Sequence, residues 1–179
     1  MSSRPAPLPR LADGRVLLRA FEVGDRAAIE EGMQDPDVIR WIGPPEGSAA
    51  DVLAQVDERW AHGSPTLAIC DPDGTCLGKV WMTVRPSDPS SGFVGYWLLP
   101  AGRGRGLATS AVRLLSTWAL RQLGLTTVRL VTSPDNERSQ RVAERSGFRR
   151  VTSGDAVVDG VGEGIVYELD ERLPPEPPR

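Results

Sequence analysis

The stretch Phe93-Val94-Gly95-Tyr96-Trp97-Leu98-Leu99-Pro100-Ala101-Gly102-Arg103-Gly104-Arg105-Gly106-Leu107-Ala108 decides how the chain is read. Gly92 to Leu99 predicts a strand. From Gly106, the residues Leu107, Ala111, Leu114, Leu115 and Trp118 recur at three- and four-residue steps and predict a long helix, which Gly124 stops. The strand therefore passes through a glycine turn straight into a helix, so free backbone N–H groups and the positive end of the helix dipole converge on one spot. Glycines let that backbone approach a ligand closely. Arg103 and Arg105 add cationic side chains, and no acidic residue lies between Gly92 and Arg129 to neutralise them. Together these features describe a pyrophosphate site. A P-loop is excluded because Gly-Lys-Ser/Thr is missing. A dinucleotide fingerprint starting at Gly104 fails at Thr109, and again at Thr126 and Thr127, where an acidic residue is needed.

Working outward, Leu17-Leu18-Arg19 predicts a first strand, and Gly24-Asp25 opens a helix through Ile29 and Met33. Asp35 to Gly47 carries Pro36, Pro44 and Pro45 and predicts a loop with an apolar middle at Trp41-Ile42. A second helix is expected from about Ala49 to Ala61, with Val52, Val56 and Trp60 on one face. Strands Thr66 to Cys70 and Cys76 to Val84 flank the turn at Pro72 to Gly74, so the two cysteines could face each other across a hairpin. Downstream of the long helix come a strand at Thr127 to Val131, an amphipathic helix at Asn136 to Ser146, and a last strand at about Gly164 to Leu169. The fold class is α/β: a mixed, mostly antiparallel central sheet flanked by helices, with a strand–helix–strand crossover from Phe93 to Val131.

Length and charge bound the function. The 179 residues suit one domain, taken as 11–170, with flexible termini at 1–10 and 171–179, the latter rich in proline. A net charge of -3 argues against a broad nucleic-acid or anionic-membrane surface, so any phosphate site is local. The chain shows no membrane span and no signal peptide, which implies a cytoplasmic location and free thiols at Cys70 and Cys76. No zinc-ligand spacing occurs, and the one histidine, His62, is expected at a solvated helix end, so no metal is expected.

Arg103-Gly104-Arg105-Gly106-Leu107-Ala108 resembles the Arg/Gln-x-x-Gly-x-Gly/Ala signature of the GNAT superfamily of N-acetyltransferases. Gly95-Tyr96-Trp97-Leu98, Asn136-x-x-Ser139 and Val142-Ala143-Glu144-Arg145-Ser146-Gly147-Phe148 are similar to the RimJ/RimL branch, which acetylates ribosomal-protein N-termini. The likeness covers about Leu11 to Leu169 and implies acetyl-CoA as acyl donor and an amine as acceptor, either a peptide N-terminus or a small molecule.

By that resemblance the pantetheine arm lies along Trp97, Leu98 and Leu99, and the turn Arg103 to Ala108 holds the pyrophosphate. Asn136 meets the arm from the opposite side, or caps the helix, or does both. Many GNAT enzymes protonate the leaving sulfur with a tyrosine where this chain has Ala143. Ser139 matches a serine given that role in RimL-like members; its alternative is a first-turn backbone contact. Phe93 replaces a carboxylate frequent in the branch, so no general base is assigned. Trp41, Trp81 and Phe93 fall on the acceptor side, whereas Trp60 and Trp118 are expected in the core. Transfer of another acyl group, such as succinyl, and a non-catalytic CoA sensor are the alternative functions. The oligomeric state, a homodimer included, stays open.

Overall fold

The structure is a computed structural model that describes residues 7–151 and 164–170. Its elements are β1 (Leu11–Ala12), β2 (Leu17–Arg19), α1 (Arg26–Gln34), α2 (Pro36–Ile42), α3 (Ala49–Ala61), β3 (Thr66–Cys70), β4 (Cys76–Arg85), β5 (Asp88–Leu98), α4 (Leu107–Gln122), β6 (Thr127–Thr132), α5 (Glu137–Arg145), β7 (Arg149–Arg150) and β8 (Ile165–Asp170). The sheet order is β1-β2-β3-β4-β5-β6-β8-β7, and every adjacent pair is antiparallel except β5–β6. The mostly antiparallel sheet and the single crossover through α4 match the architecture expected from the sequence.

Strand alternation divides the sheet into two apolar faces. Val80 and Met82 of β4, Val94 and Leu98 of β5, and Val128 and Leu130 of β6 pack with Leu107, Ala111, Leu115 and Ala119 of α4 in the main core. The opposite face of β5 presents Trp97, which packs with Val38 of α2 and Leu99 in a second cluster. A Cβ at Gly32 of α1 would run into the Trp97 ring, so only glycine lets that helix lie on the indole.

Arg19 fastens the first strands to the helices. Its guanidinium donates to both Asp25 carboxylate oxygens, at 2.6 and 3.0 Å, and to the Gly74 carbonyl at 2.9 Å, with both side chains of the pair buried. Cys70 and Cys76 are register partners beside a bulge, and both are free thiols.

The expectation of a loop from Asp35 to Gly47 is corrected: residues 36–42 form α2. Pro36 occupies the first helical turn, where a missing N–H costs nothing, and the Asp35 carboxylate caps the Val38 N–H at 3.0 Å. β5 begins at Asp88 rather than Gly92, and the last strand runs one residue further, to Asp170. The two-residue strands β1 and β7 carry too few residues for a periodic signal. Trp118 is half-buried and packs against the main core as expected, while Trp60 is half-buried and tilted against Trp118, ring centroids 6.0 Å apart. The proline-rich tail lies outside the described residues.

Gly32→Ala tests the α1 contact. Overpacking against a buried ring costs about 1–3 kcal/mol, against roughly 1 kcal/mol gained in helix propensity. Urea denaturation is expected to show a net loss of stability, and a raised midpoint would mean that Trp97 yields freely.

Candidate active site

Strands β5 and β6 pair only from Ser91 to Phe93, with Thr127 to Arg129. Beyond that point β5 stays with β4 as far as Leu98, while β6 stays with β8 as far as Thr132. The sheet therefore opens between them, and a cleft of about 1110 Å³ occupies the gap. The Leu99 N–H donates to the Leu77 carbonyl at 2.8 Å. By antiparallel alternation, Trp97, Gly95 and Phe93 also turn their backbone groups toward β4, and those of Val94, Tyr96 and Leu98 face the cleft. Of the three residues expected along the pantetheine arm, only Leu98 offers backbone groups there. Trp97 lines the cleft through its side chain, and Leu99 is packed away against Trp97 and Val38.

The glycine turn ends this open edge. Gly104 and Gly106 hold φ of 74° and 76°, a left-handed conformation that side chains disfavour. The α4 hydrogen-bond ladder begins with the Ser110 N–H on the Gly106 carbonyl at 3.1 Å, so the N–H groups of Leu107, Ala108 and Thr109 have no acceptor within the helix. All three residues line the cleft with Gly104 and Gly106.

The two turn arginines behave differently from the expectation. Arg103 borders the cleft, but its guanidinium is held by Asp35 at 2.7 Å and Asp37 at 3.1 Å, and its Nε donates to the Leu98 carbonyl at 3.0 Å. Burial opposes the Asp35 charge, yet the Arg103 guanidinium and the Val38 N–H outweigh it and hold the carboxyl below its ordinary pKa. Arg103 thus acts as a clamp between α2 and the end of β5. Arg105 points out of the cleft, toward the Ala101 carbonyl at 3.4 Å and Asp71 at 4.0 Å. Sequence distance hid the acidic partners of Arg103, which lie more than sixty positions upstream.

Helix α5 forms the opposite wall. The Asn136 side-chain oxygen caps the helix by accepting the Ser139 N–H at 3.1 Å, and both residues line the cleft, so the capping role is present and the amide nitrogen is still available. Across the gap, the Tyr96 hydroxyl of β5 faces Ser139, and burial pushes its pKa up to about 12 despite that neighbour. The sequence reading assigned Tyr96 no role; the signal was its place at an even position of β5, level with the first turn of α5. Arg138, Arg141 and Arg145 also face the cleft at helical spacing. Ala143 is buried in the core.

Trp41, Trp81 and Phe93 all line the cleft. Trp41 and Ile42 come from α2, and the Trp81 ring lies flat across Gly95, where a Cβ would collide with it. The Phe93 ring has Arg85 at 4.9 Å and Arg129 at 6.0 Å. Among the described residues Asp37 is the one acid lining the cleft, and Arg103 and Arg138 approach it at 3.1 and 3.6 Å. Five arginines (85, 103, 138, 141 and 145) among the described residues line the same cleft, so a chain of net charge -3 presents a cationic groove there. His62 ends α3, exposed, with Nδ1 2.9 Å from the Glu58 carbonyl. Among the described residues no three His, Cys, Asp or Glu side chains gather as a metal site.

The chain is similar to known proteins. A mycothiol acetyltransferase of Parafrankia sp. (strain EAN1pec) is 30% identical over 170 residues, 82% of this chain and 50% of its own length. A provisionally named ribosomal N-acetyltransferase, YdaF of Bacillus subtilis (strain 168), is 31% identical over 99 residues, 53% of each chain. The chain thus spans about half the length of these curated relatives. The crystal structure of an acetyltransferase from Agrobacterium tumefaciens str. C58 superposes with a TM-score of 0.77 at 27% identity, covering 93% of this chain and 96% of that one. The profile of the Acetyltransferase (GNAT) domain matches residues 15–149, which contain both walls of the cleft and the glycine turn, and on that match the chain belongs to the GNAT acetyltransferase family.

Proposed function

We propose that this protein transfers an acetyl group from acetyl-CoA to a primary amine. One observation carries the reading: the free edge of β5 leads directly into a glycine turn and the unpaired N–H groups of α4. An amide-bearing arm completes the strand through the groups of Tyr96 and Leu98, and a pyrophosphate meets the N–H groups of Leu107 to Thr109 at the positive end of the dipole. The arginines of α5 supply the cations that the turn's own arginines do not.

The amine nitrogen attacks the thioester carbonyl carbon, and collapse of the tetrahedral intermediate breaks the C–S bond, leaving the electron pair on sulfur. The proton lost by nitrogen balances the proton gained by sulfur. A phenol at about 12 is a weaker acid than a thiol at about 8.5, so full proton transfer from Tyr96 to the thiolate runs uphill. Tyr96 and Ser139 instead donate hydrogen bonds to the charge developing on sulfur, which strengthens only as the bond breaks. The proton itself comes through solvent from the nitrogen.

Trp41, Trp81, Ile42 and Phe93 give the acceptor an apolar part beside its amine. The RimJ/RimL-like motifs and the YdaF similarity favour a peptide N-terminus, whereas the mycothiol relative favours a small amine. One observation favours a non-catalytic CoA-binding role: among the described residues the cleft's single acid, Asp37, is already engaged by arginines and is a poor base for the ammonium.

Acetyl-CoA or CoA is expected to raise the melting temperature, with about 2.7 kcal/mol of stabilisation at a hundredfold excess over Kd. Unchanged melting together with a flat calorimetric titration would defeat the coenzyme assignment. Tyr96→Phe and Ser139→Ala are each expected to lower kcat by about a hundredfold with coenzyme affinity nearly intact, and the double variant is expected to lose little more than either single one. Losses below about threefold would remove both hydroxyls from the transition state and leave positioning as the source of rate.

A further inference from the structure

A second, smaller pocket of about 110 Å³ lies between α3 and the sheet, behind Trp81. Its polar lining consists of Lys79, Arg59, Gln55 and Thr66, and the Trp81 ring is the wall that it shares with the main cleft. Lys79 is the only lysine among 21 basic residues. Its ammonium sits 4.9 Å from the Trp81 ring centroid, and among the described residues it has no hydrogen bond and no carboxylate partner. Arg59 donates to the Thr66 and Thr83 hydroxyls and to the Met82 carbonyl, all neutral groups. Two cations therefore face one pocket with no acid between them.

We propose that this pocket binds a small oxyanion, a carboxylate or phosphate group, between Lys79 and Arg59 and against the edge of Trp81. Like charges brought together out of water repel and lose hydration, and an aromatic face replaces only part of that loss. Desolvation and the Arg59 charge push the Lys79 pKa down to about 8, so an anion would restore what the site lacks. The volume exceeds the roughly 30 Å³ share of one water several-fold and admits an oxyanion group. Gln55 and Thr66 add neutral donors. Because Trp81 separates this pocket from the proposed acceptor end, the anion is either part of the acceptor or a free solute. Only the first source rests on the acetyltransferase reading.

The chain's single lysine makes the test direct. In protein labelled with ¹³C-lysine, the one Cε resonance is followed while acetate or inorganic phosphate is added with CoA saturating, and chloride at matched ionic strength serves as the control. A saturable shift with either oxyanion, accompanied by a rise in the Lys79 titration midpoint, is expected; a linear, chloride-like drift would overturn the proposal. Lys79→Met is expected to melt at or above the wild-type temperature, since it removes an unpaired charge, and a clear drop would assign Lys79 to packing against Trp81 instead. Acceptor amines matched as carboxylate and carboxamide separate the sources. A KM at least about tenfold lower for the carboxylate, lost in Lys79→Met, identifies an anion carried by the acceptor; equal KM values beside a saturable shift identify a free anion. The resonance is read without turnover, so an inactive protein with a saturable shift would count against the proposed function alone.

Discussion

The parting of β5 and β6 is the constraint on which the rest of the structure depends. A strand in the middle of a sheet has partners on both sides, but β5 keeps its second partner for only three residues before β6 leaves with β8. The backbone groups of Val94, Tyr96 and Leu98 are then exposed to a cleft whose flanks are apolar, and such groups need a partner or water. One is satisfied internally, because Arg103 donates to the Leu98 carbonyl. The others define a row that the extended ligand proposed above would complete. The crossover helix α4 follows from the same geometry, since a parallel pair requires a long connection, and the glycine turn that starts the connection lies at the open end of the strand.

Arg103 links this opening to the first half of the chain. Its side chain joins the end of β5 to Asp35 and Asp37, which start α2, and α2 carries Val38 and Trp41 onto the cleft. The signature arginine is thereby a structural cation whose charge is spent on two carboxylates. In the function proposed above, phosphate attraction would fall instead to backbone N–H groups and to Arg138, Arg141 and Arg145 of α5, which are more exposed and less committed. The acidic cap of α2 and the basic turn are consequently one device, although nearly seventy residues separate them in sequence.

Local patterns made most of the fold legible. Helices α3 and α4 announced themselves by period and by their stops, and the turn from Gly102 to Gly106 showed both its conformation and its charge. Helix α2 was hidden because Pro36 and Pro44 read as breakers, whereas Pro36 sits at the one helical position that tolerates it. The site was legible where function rests on backbone, at the glycines and the start of α4, and poorly legible where it rests on side-chain direction. Arg105 and Leu99 turned away from the cleft, and Tyr96 entered it, for reasons of strand parity and long-range pairing that no window of sequence contains.

Strand parity also accounts for the division of labour along β4 and β5. Even positions of both strands, Val80, Met82, Val94 and Leu98, face α4 and build the core, while odd positions, Lys79, Trp81, Thr83, Phe93 and Trp97, face α1, α2 and α3. Tyr96 is the exception that links them: its ring packs on the core side, yet its hydroxyl reaches the α5 wall and Ser139. Glycine at position 95 lets Trp81 lie across β5, so Tyr96 and Trp81 approach the cleft from opposite faces of the strand. In the proposed reaction, a thioester held beside Tyr96 and Trp81 would have the hydroxyls of Tyr96 and Ser139 on one side and an aromatic wall on the other. In that reaction the acceptor's entry would be set by the odd-position side chains and the chemistry of the leaving sulfur by the even ones, a separation that would let acceptor specificity vary without disturbing the coenzyme side.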